Sequence, residues 1–186
     1  MSTAAAWPLD LLTLDEWDSL PVHESHRVEC VEGVLVVSPR PSLLHQQVML
    51  ELARVLAASL PGHLVALPEI DVLVDEEPLT MRSPDIAVIE RAAAQRDIRR
   101  ASAADVVLVV EILSDGSRRT DRVTKLSEYA EAQIPEYWLV DPDAGRLLVH
   151  TLSAGQYVLS HDCTGLVTLT VAGADINVDI SALGQF

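Results

Sequence analysis

The stretch Val106-Val107-Leu108-Val109-Val110-Glu111-Ile112-Leu113 is continuously apolar except for one carboxylate near its end. It is far too short to span a membrane and reads as a strand buried on both faces. Such a strand belongs at the centre of a sheet covered by helices, which predicts an α/β domain. Glu111 is the anomaly. An isolated carboxylate there costs roughly several kcal/mol, so it must be paired, solvated or bound to a metal ion.

Working outward, Arg82-Ser83-Pro84-Asp85-Ile86-Ala87-Val88 holds a second short strand, Asp85–Ile89, again with an acid at its edge. Between the two, the Ala- and Arg-rich run Ala92–Arg100 predicts a helix. After Glu111, Thr120 can cap a helix reaching about Gln133, and the strand Tyr137–Val140 follows, closed by Asp141-Pro142. Further upstream, Thr13 and Glu16 form a capping-box pattern for a short helix, Thr13–Leu20, stopped by Pro21. Arg27–Val31 and Val34–Ser38 flank Glu32-Gly33 as a hairpin. Ser42 caps a long amphipathic helix to about Leu60, with Leu44, Val48, Leu52, Val55 and Leu56 on one stripe. Two β-rich runs, Leu64–Leu67 and Ile70–Val74, come next. Leu147–Thr151, Tyr157–Leu159, Leu166–Val171 and Ile176–Ile180 complete the chain with β segments. The predicted fold class is α/β: a mixed β-sheet flanked by helices, with extra β-hairpins at the N- and C-terminal ends.

The 186 residues fit a single domain, 1–186, with its motifs in about 14–142 and a β-rich C-terminal extension over about 146–181. Hydrophobic residues at 49% and charged residues at 22% exclude a disordered chain. Cys30 and Cys163 stand apart, in no Cys/His cluster, which argues against a zinc site and a disulfide scaffold and fits a reducing compartment. Met1–Trp7 lacks the basic residue of a signal peptide, and Pro8 interrupts it, so the expected location is cytoplasmic, with no membrane partner. The net charge is −15. It is uneven: Arg82 to Lys125 holds nine basic and seven acidic residues, while the remainder carries −17. The average surface repels nucleic acid, but the middle of the chain suits a phosphate-bearing partner.

If the Asp85 and Glu111 strands are neighbours, their carboxylates converge at one end of the sheet. Two adjacent carboxylates repel unless a proton or a divalent cation lies between them, and all-oxygen ligation suits Mg2+ or Mn2+. Lys125 is the only lysine among thirteen basic residues. Asp121, Lys125 and Tyr129 recur at i, i+4 and i+8 and share one helix face. Two acids, a hard metal and a lysine make up the chemistry of phosphodiester hydrolysis.

The stretch Pro-Asp-Ile-Ala-Val, followed by Val-Val-Glu-Ile-Leu-Ser, then Asp121, Lys125, Tyr129 and Ile-Pro-Glu-Tyr-Trp-Leu-Val-Asp-Pro ending at Pro142, resembles the Uma-type restriction-endonuclease-like family of the PD-(D/E)XK nuclease superfamily. Weaker likenesses are the hairpin Arg27-Val28-Glu29-Cys30-Val31-Glu32-Gly33 and the run from Ser38-Pro39 to His45-Gln46. The resemblance implies a restriction-endonuclease-like fold and metal-dependent cleavage of DNA, with Asp85 and Glu111 as metal ligands and Mg2+ or Mn2+ as cofactor. The superfamily's lysine normally lies two residues after the strand carboxylate, where Leu113 stands here. In the resembling family it lies on the following helix, which matches Lys125. The loop Ser114-Asp115-Gly116-Ser117 departs from the family's turn and adds a negative charge.

The expected site is therefore Asp85, Glu111 and Lys125, with Glu29, His45 and Asp121 as accessory residues and Arg118, Arg119 and Arg122 as phosphate contacts. Each has a plainer reading. Glu111 can end its strand at the rim of the sheet, solvated or paired with an arginine, and Asp85 can cap a turn. Asp121 and Lys125 can be a surface ion pair, Glu29 a solvated acid, and His45 a partner for a nearby carbonyl. Tyr129, Tyr137 and Trp138 read as packing aromatics. Two functions follow: a metal-dependent endodeoxyribonuclease, aided by a homodimer that aligns two basic windows on one duplex, or a catalytically inactive nuclease fold serving as a binding module.

Overall fold

A computed structural model of the chain describes residues 10–20, 26–97, 99–114 and 116–185. The expected helix stop at Pro21, the charge of Asp115 and the segment Met1–Pro8 lie outside the described residues.

The N-terminal elements follow their local signals. Thr13 caps α1 (Leu14–Asp18): its hydroxyl accepts from the Glu16 N–H, and the Glu16 carboxylate accepts from the Thr13 N–H at 2.8 Å. β1 (Arg27–Val31) and β2 (Val34–Ser38) pair antiparallel around Glu32-Gly33, whose φ angles are 49° and 78°. Two successive positive φ values match the right-handed twist of a two-residue hairpin. A Cβ on Gly33 would lie 2.7 Å from Leu11 Cβ. Gly33→Ala is therefore expected to destabilise the protein by about 1–3 kcal/mol, read as a lower urea midpoint with unchanged slope.

Ser42 caps α2 (Leu43–Ser59), accepting from the His45 N–H at 3.2 Å. Val48, Leu52 and Leu56 on its apolar stripe are fully buried, each contributing about 1.5–3 kcal/mol of burial free energy. β3 (Leu64–Pro68), β4 (Asp71–Glu76), β5 (Leu79–Arg82) and β6 (Ile86–Glu90) follow. β5 has no counterpart among the expected strands. Its four residues are all buried, and so short a run shows no periodicity.

The helix expected over Ala92–Arg100 is shorter. α3 covers Arg91–Arg96, and Arg100–Ser102 forms β7, paired in parallel with β4. Sheet pairing and the Arg100–Asp18 ion pair override the helical propensity of the run. β8 (Val106–Ile112) is the decisive strand, and β9 (Glu136–Asp141) lies parallel to it. Between them the helix does not start at Thr120. The chain is already helical at Arg119, and the first turn is held by the Ser117 hydroxyl, which accepts from the Ser114 N–H at 3.2 Å. A π-helical turn, Thr120–Thr124, then leads into α4 (Lys125–Glu131). β10 (Arg146–Ser153), β11 (Gln156–Cys163), β12 (Leu166–Val171) and β13 (Ala174–Asp179) end the chain.

Among the described residues the strands form the expected mixed sheet, β11-β10-β9-β8-β6-β3, a second mixed sheet, β2-β1-β5-β4-β7, and the C-terminal β12-β13 hairpin. β8 lies inside the six-stranded sheet, as its apolar run requires, with its only parallel neighbour on one side and antiparallel β6 on the other. Leu169, Val171, Ile176 and Val178 of the C-terminal hairpin share a core with Val48 and Leu52 of α2 and Trp138 of β9. No helix among the described residues is long and apolar enough to cross a membrane.

Candidate active site

β6 and β8 are adjacent and antiparallel, with Ile86 opposite Val110. That register brings Asp85, one residue before β6, beside Glu111, near the end of β8. Each residue is only 1% exposed. The Ile112 N–H donates to Asp85 Oδ2 at 2.6 Å, which ties the carboxylate to the neighbouring strand. Asp85 therefore does more than cap a local turn, and Glu111 is not a solvated rim residue.

Glu111 is met from the following helix. Lys125 Nζ donates to Glu111 Oε1 at 2.8 Å, and the Tyr129 hydroxyl donates to the same oxygen at 3.2 Å. Asp121 Oδ1 lies 3.2 Å from Lys125 Nζ. The i, i+4, i+8 face thus points inward as one unit, and the Asp121–Lys125 pair is buried rather than superficial. Neither carboxylate oxygen of Asp121 has a hydrogen-bond partner.

Two further elements close the cluster. From α2, His45 Nε2 lies 3.1 Å from Asp85 Oδ2, leaving its buried Nδ1 without a partner. From β1, Glu29 accepts from the Ser83 N–H at 3.0 Å and from Arg82 Nη1 at 3.2 Å, and lies 3.8 Å from Lys125 Nζ. Arg82 also grips Glu128 through two bonds of 2.7 Å. Arg27 Nη1 donates to Asp85 Oδ1 at 2.7 Å, while its Nη2 lies 3.9 Å from Glu111 Oε2.

Burial would raise the Asp85 carboxyl, but the His45 hydrogen bond and the Arg27 charge outweigh it and hold the group low, at about 2. Burial pushes Glu111 up against the pull of Lys125. Lys125 moves up despite its own burial because Glu111, Glu29 and Asp121 surround it. His45 likewise moves up, with Asp85 outweighing burial. Opposed shifts of this kind occur both in catalytic sites and in buried structural ion-pair networks.

The structure brings together Asp85, Glu111, Lys125, Glu29, His45 and Asp121. It places the arginine group elsewhere: Arg118 binds Asp141 at 2.7 Å and Asp143 at 2.6 Å, Arg122 binds Asp141 at 3.2 Å, and Arg119 is exposed. Their charge is largely answered by those acids. Sequence reasoning missed Arg27, Arg82 and Glu128, and it read Tyr129 only as a packing residue. The strand period of two was the available signal for Arg27, which shares a face of β1 with Glu29. A cleft of about 670 Å³ lies beside this cluster, lined in part by Trp17, Arg27, Arg40, Asp71, Ser83 and Arg100. Arg27 and Ser83 are where it borders the acids.

The mixed sheets flanked by helices form a restriction-endonuclease-like fold. The chain belongs to the Uma2 family, whose model, described as "Putative restriction endonuclease", matches residues 14–179. The same fold is found in a crystal structure described as a putative nuclease belonging to DUF820, from Anabaena variabilis. That protein is 21% identical, with 92% of this chain and 97% of the other covered at a TM-score of 0.71. No curated protein matches the chain.

Proposed function

We propose that the protein is a Mg2+- or Mn2+-dependent endonuclease that hydrolyses phosphodiester bonds of DNA, with its chemistry at Asp85, Glu111 and Lys125. The observation that carries this reading is the convergence of two buried carboxylates from adjacent strands on one cation, with a lysine on one of them. Family membership and the nuclease described for the fold neighbour support it.

The residues present fit a hard divalent cation. Among the described residues no group of three or more His, Cys, Asp and Glu side chains is arranged as a metal cage. Two carboxylates with open positions left for water and phosphate oxygens are nevertheless the usual provision for Mg2+. Such a cation polarises the phosphoryl oxygen and acidifies a bound water. Asp85 and Glu111 would hold it. The Ile112 N–H and His45 fix the Asp85 carboxylate, and Lys125 orients Glu111 while placing positive charge beside the reacting phosphate. Asp121 and Glu29 hold the lysine.

The wild-type protein is expected to nick supercoiled plasmid with Mn2+ and not with EDTA. Asp85→Asn should lower the rate at least about a hundredfold. Parallel reactions with single-stranded DNA and RNA test the substrate class, and undiminished cleavage by Asp85→Asn would remove the assigned site. A symmetric dimer would bring two central basic windows to one duplex, which light scattering of the free protein tests. The position of Arg27 favours a second reading, a nuclease fold that binds without cutting. On that reading, calorimetry with Mn2+ near neutral pH shows no binding heat.

A further inference from the structure

Arg27 is the one site cation that contacts both candidate ligands. Its guanidinium spans the gap from Asp85 Oδ1, at 2.7 Å, to Glu111 Oε2, at 3.9 Å. Resting on the metal-dependent reading above, we propose that Arg27 is the resident counter-cation of the acid pair and that a divalent metal ion replaces it, the guanidinium moving out into the adjoining cleft as the metal is taken up.

Three observations carry this exchange. The first is the quality of the fit. Only Nη1 makes a hydrogen bond here, and Nε and Nη2 are buried without a hydrogen-bond partner. The 3.9 Å separation from Glu111 is a charge contact and too long for a hydrogen bond. Arg27 thus neutralises the pair without satisfying its own donors, in contrast to Arg82, which is bound by two carboxylates through three nitrogens.

The second is charge. With Glu111 ionised, it and Asp85 together carry two negative charges, which a divalent ion cancels completely. A guanidinium left in place would then face a like charge across a largely buried site, where such repulsion is less screened than at an open surface. Lys125 has no such conflict, because Asp121 and Glu29 remain beside it.

The third is a route. The Arg27 side chain is 17% exposed, against 1% and 2% for its two partners. It lines the 670 Å³ cleft, whose lining residues include Asp18, Glu69 and Asp71 as well as Arg40, Arg99 and Arg100. A long, unbranched side chain anchored on β1 can rotate from the acid pair into that space without moving the strand.

The consequence is thermodynamic. Metal affinity scales with the fraction of molecules in which Arg27 has left the pair, so removing the guanidinium raises affinity. Titration calorimetry with Mn2+, without DNA, on the wild type and Arg27→Met is expected to show at least tenfold tighter binding in the variant. The metal-free variant should also melt lower and gain more from Mn2+ than the wild type does. Binding in both proteins with equal affinity, or weaker binding in Arg27→Met, would overturn the exchange and leave the metal-dependent reading standing. No binding in either would overturn both. A measurement on the wild type alone covers a variant that fails to fold. The Arg27 Nε–Hε resonance should move and exchange faster with water as Mg2+ is added. An unchanged resonance under saturating Mg2+ would overturn the proposal.

Discussion

Glu111→Gln is expected to abolish Mn2+-dependent DNA cleavage, by about a thousandfold, while the protein stays folded. The two halves of that expectation have different causes. Removing the negative charge takes away half of the proposed cation site. The fold is spared because burial already disfavours the ionised carboxyl, and glutamine preserves its size and an acceptor for Lys125 Nζ and the Tyr129 hydroxyl. Lys125 keeps Asp121 at 3.2 Å, so the change in stability should stay within about 1–2 kcal/mol. Cleavage rates on supercoiled plasmid, alongside urea denaturation of the same preparations, separate the two effects. A variant that cuts as well as the wild type would show that Glu111 is a structural acid only.

The largest stability effect should come from Lys125→Met. Among the described residues Lys125 is the cation hydrogen-bonded to Glu111, and it also serves Asp121 and Glu29. Methionine matches its stem but leaves these carboxylates buried without that charge, a class of change that costs about 3–5 kcal/mol. Its pH dependence has a definite sign. Glu111 sits above its ordinary value in the native state, and without Lys125 nearby it rises further. The folded variant therefore binds a proton more tightly than the unfolded chain does. Its deficit relative to the wild type should narrow as pH falls from the variant's native value to the lower one that Lys125 maintains in the wild type, and stay level below it. Urea midpoints at pH 10 and pH 7 test this, and Asp121→Asn in the Lys125→Met background should recover part of the loss. Equal midpoints for wild type and Lys125→Met would mean that the buried network contributes nothing.

Much of this site is written in local patterns. The run Val106–Leu113 demands a central strand because no other placement buries so many β-branched residues in succession, and β8 lies there. Asp85 and Glu111 stand out because acids rarely interrupt apolar strands. The helical spacing of Asp121, Lys125 and Tyr129 puts them on one face whatever that face packs against. Harder to read were elements without a pattern of their own. β5 is four residues long, and β7 is a strand made from residues that prefer a helix. Thr120 resembles a cap in sequence, yet Ser114 and Ser117 start the helix because the chain turns before Thr120 is reached.

The sequence by itself determined the α/β class, the central strand and the presence of two misplaced acids with a lone lysine, since each follows from periodicity and desolvation over a few residues. The tertiary structure alone decided which cations answer those acids. Arg27 lies 58 residues from Asp85, and Arg82 lies 46 from Glu128, and no local rule relates them. Sheet register sets these distances, and a buried charge is stabilised by whichever partner the register brings within reach.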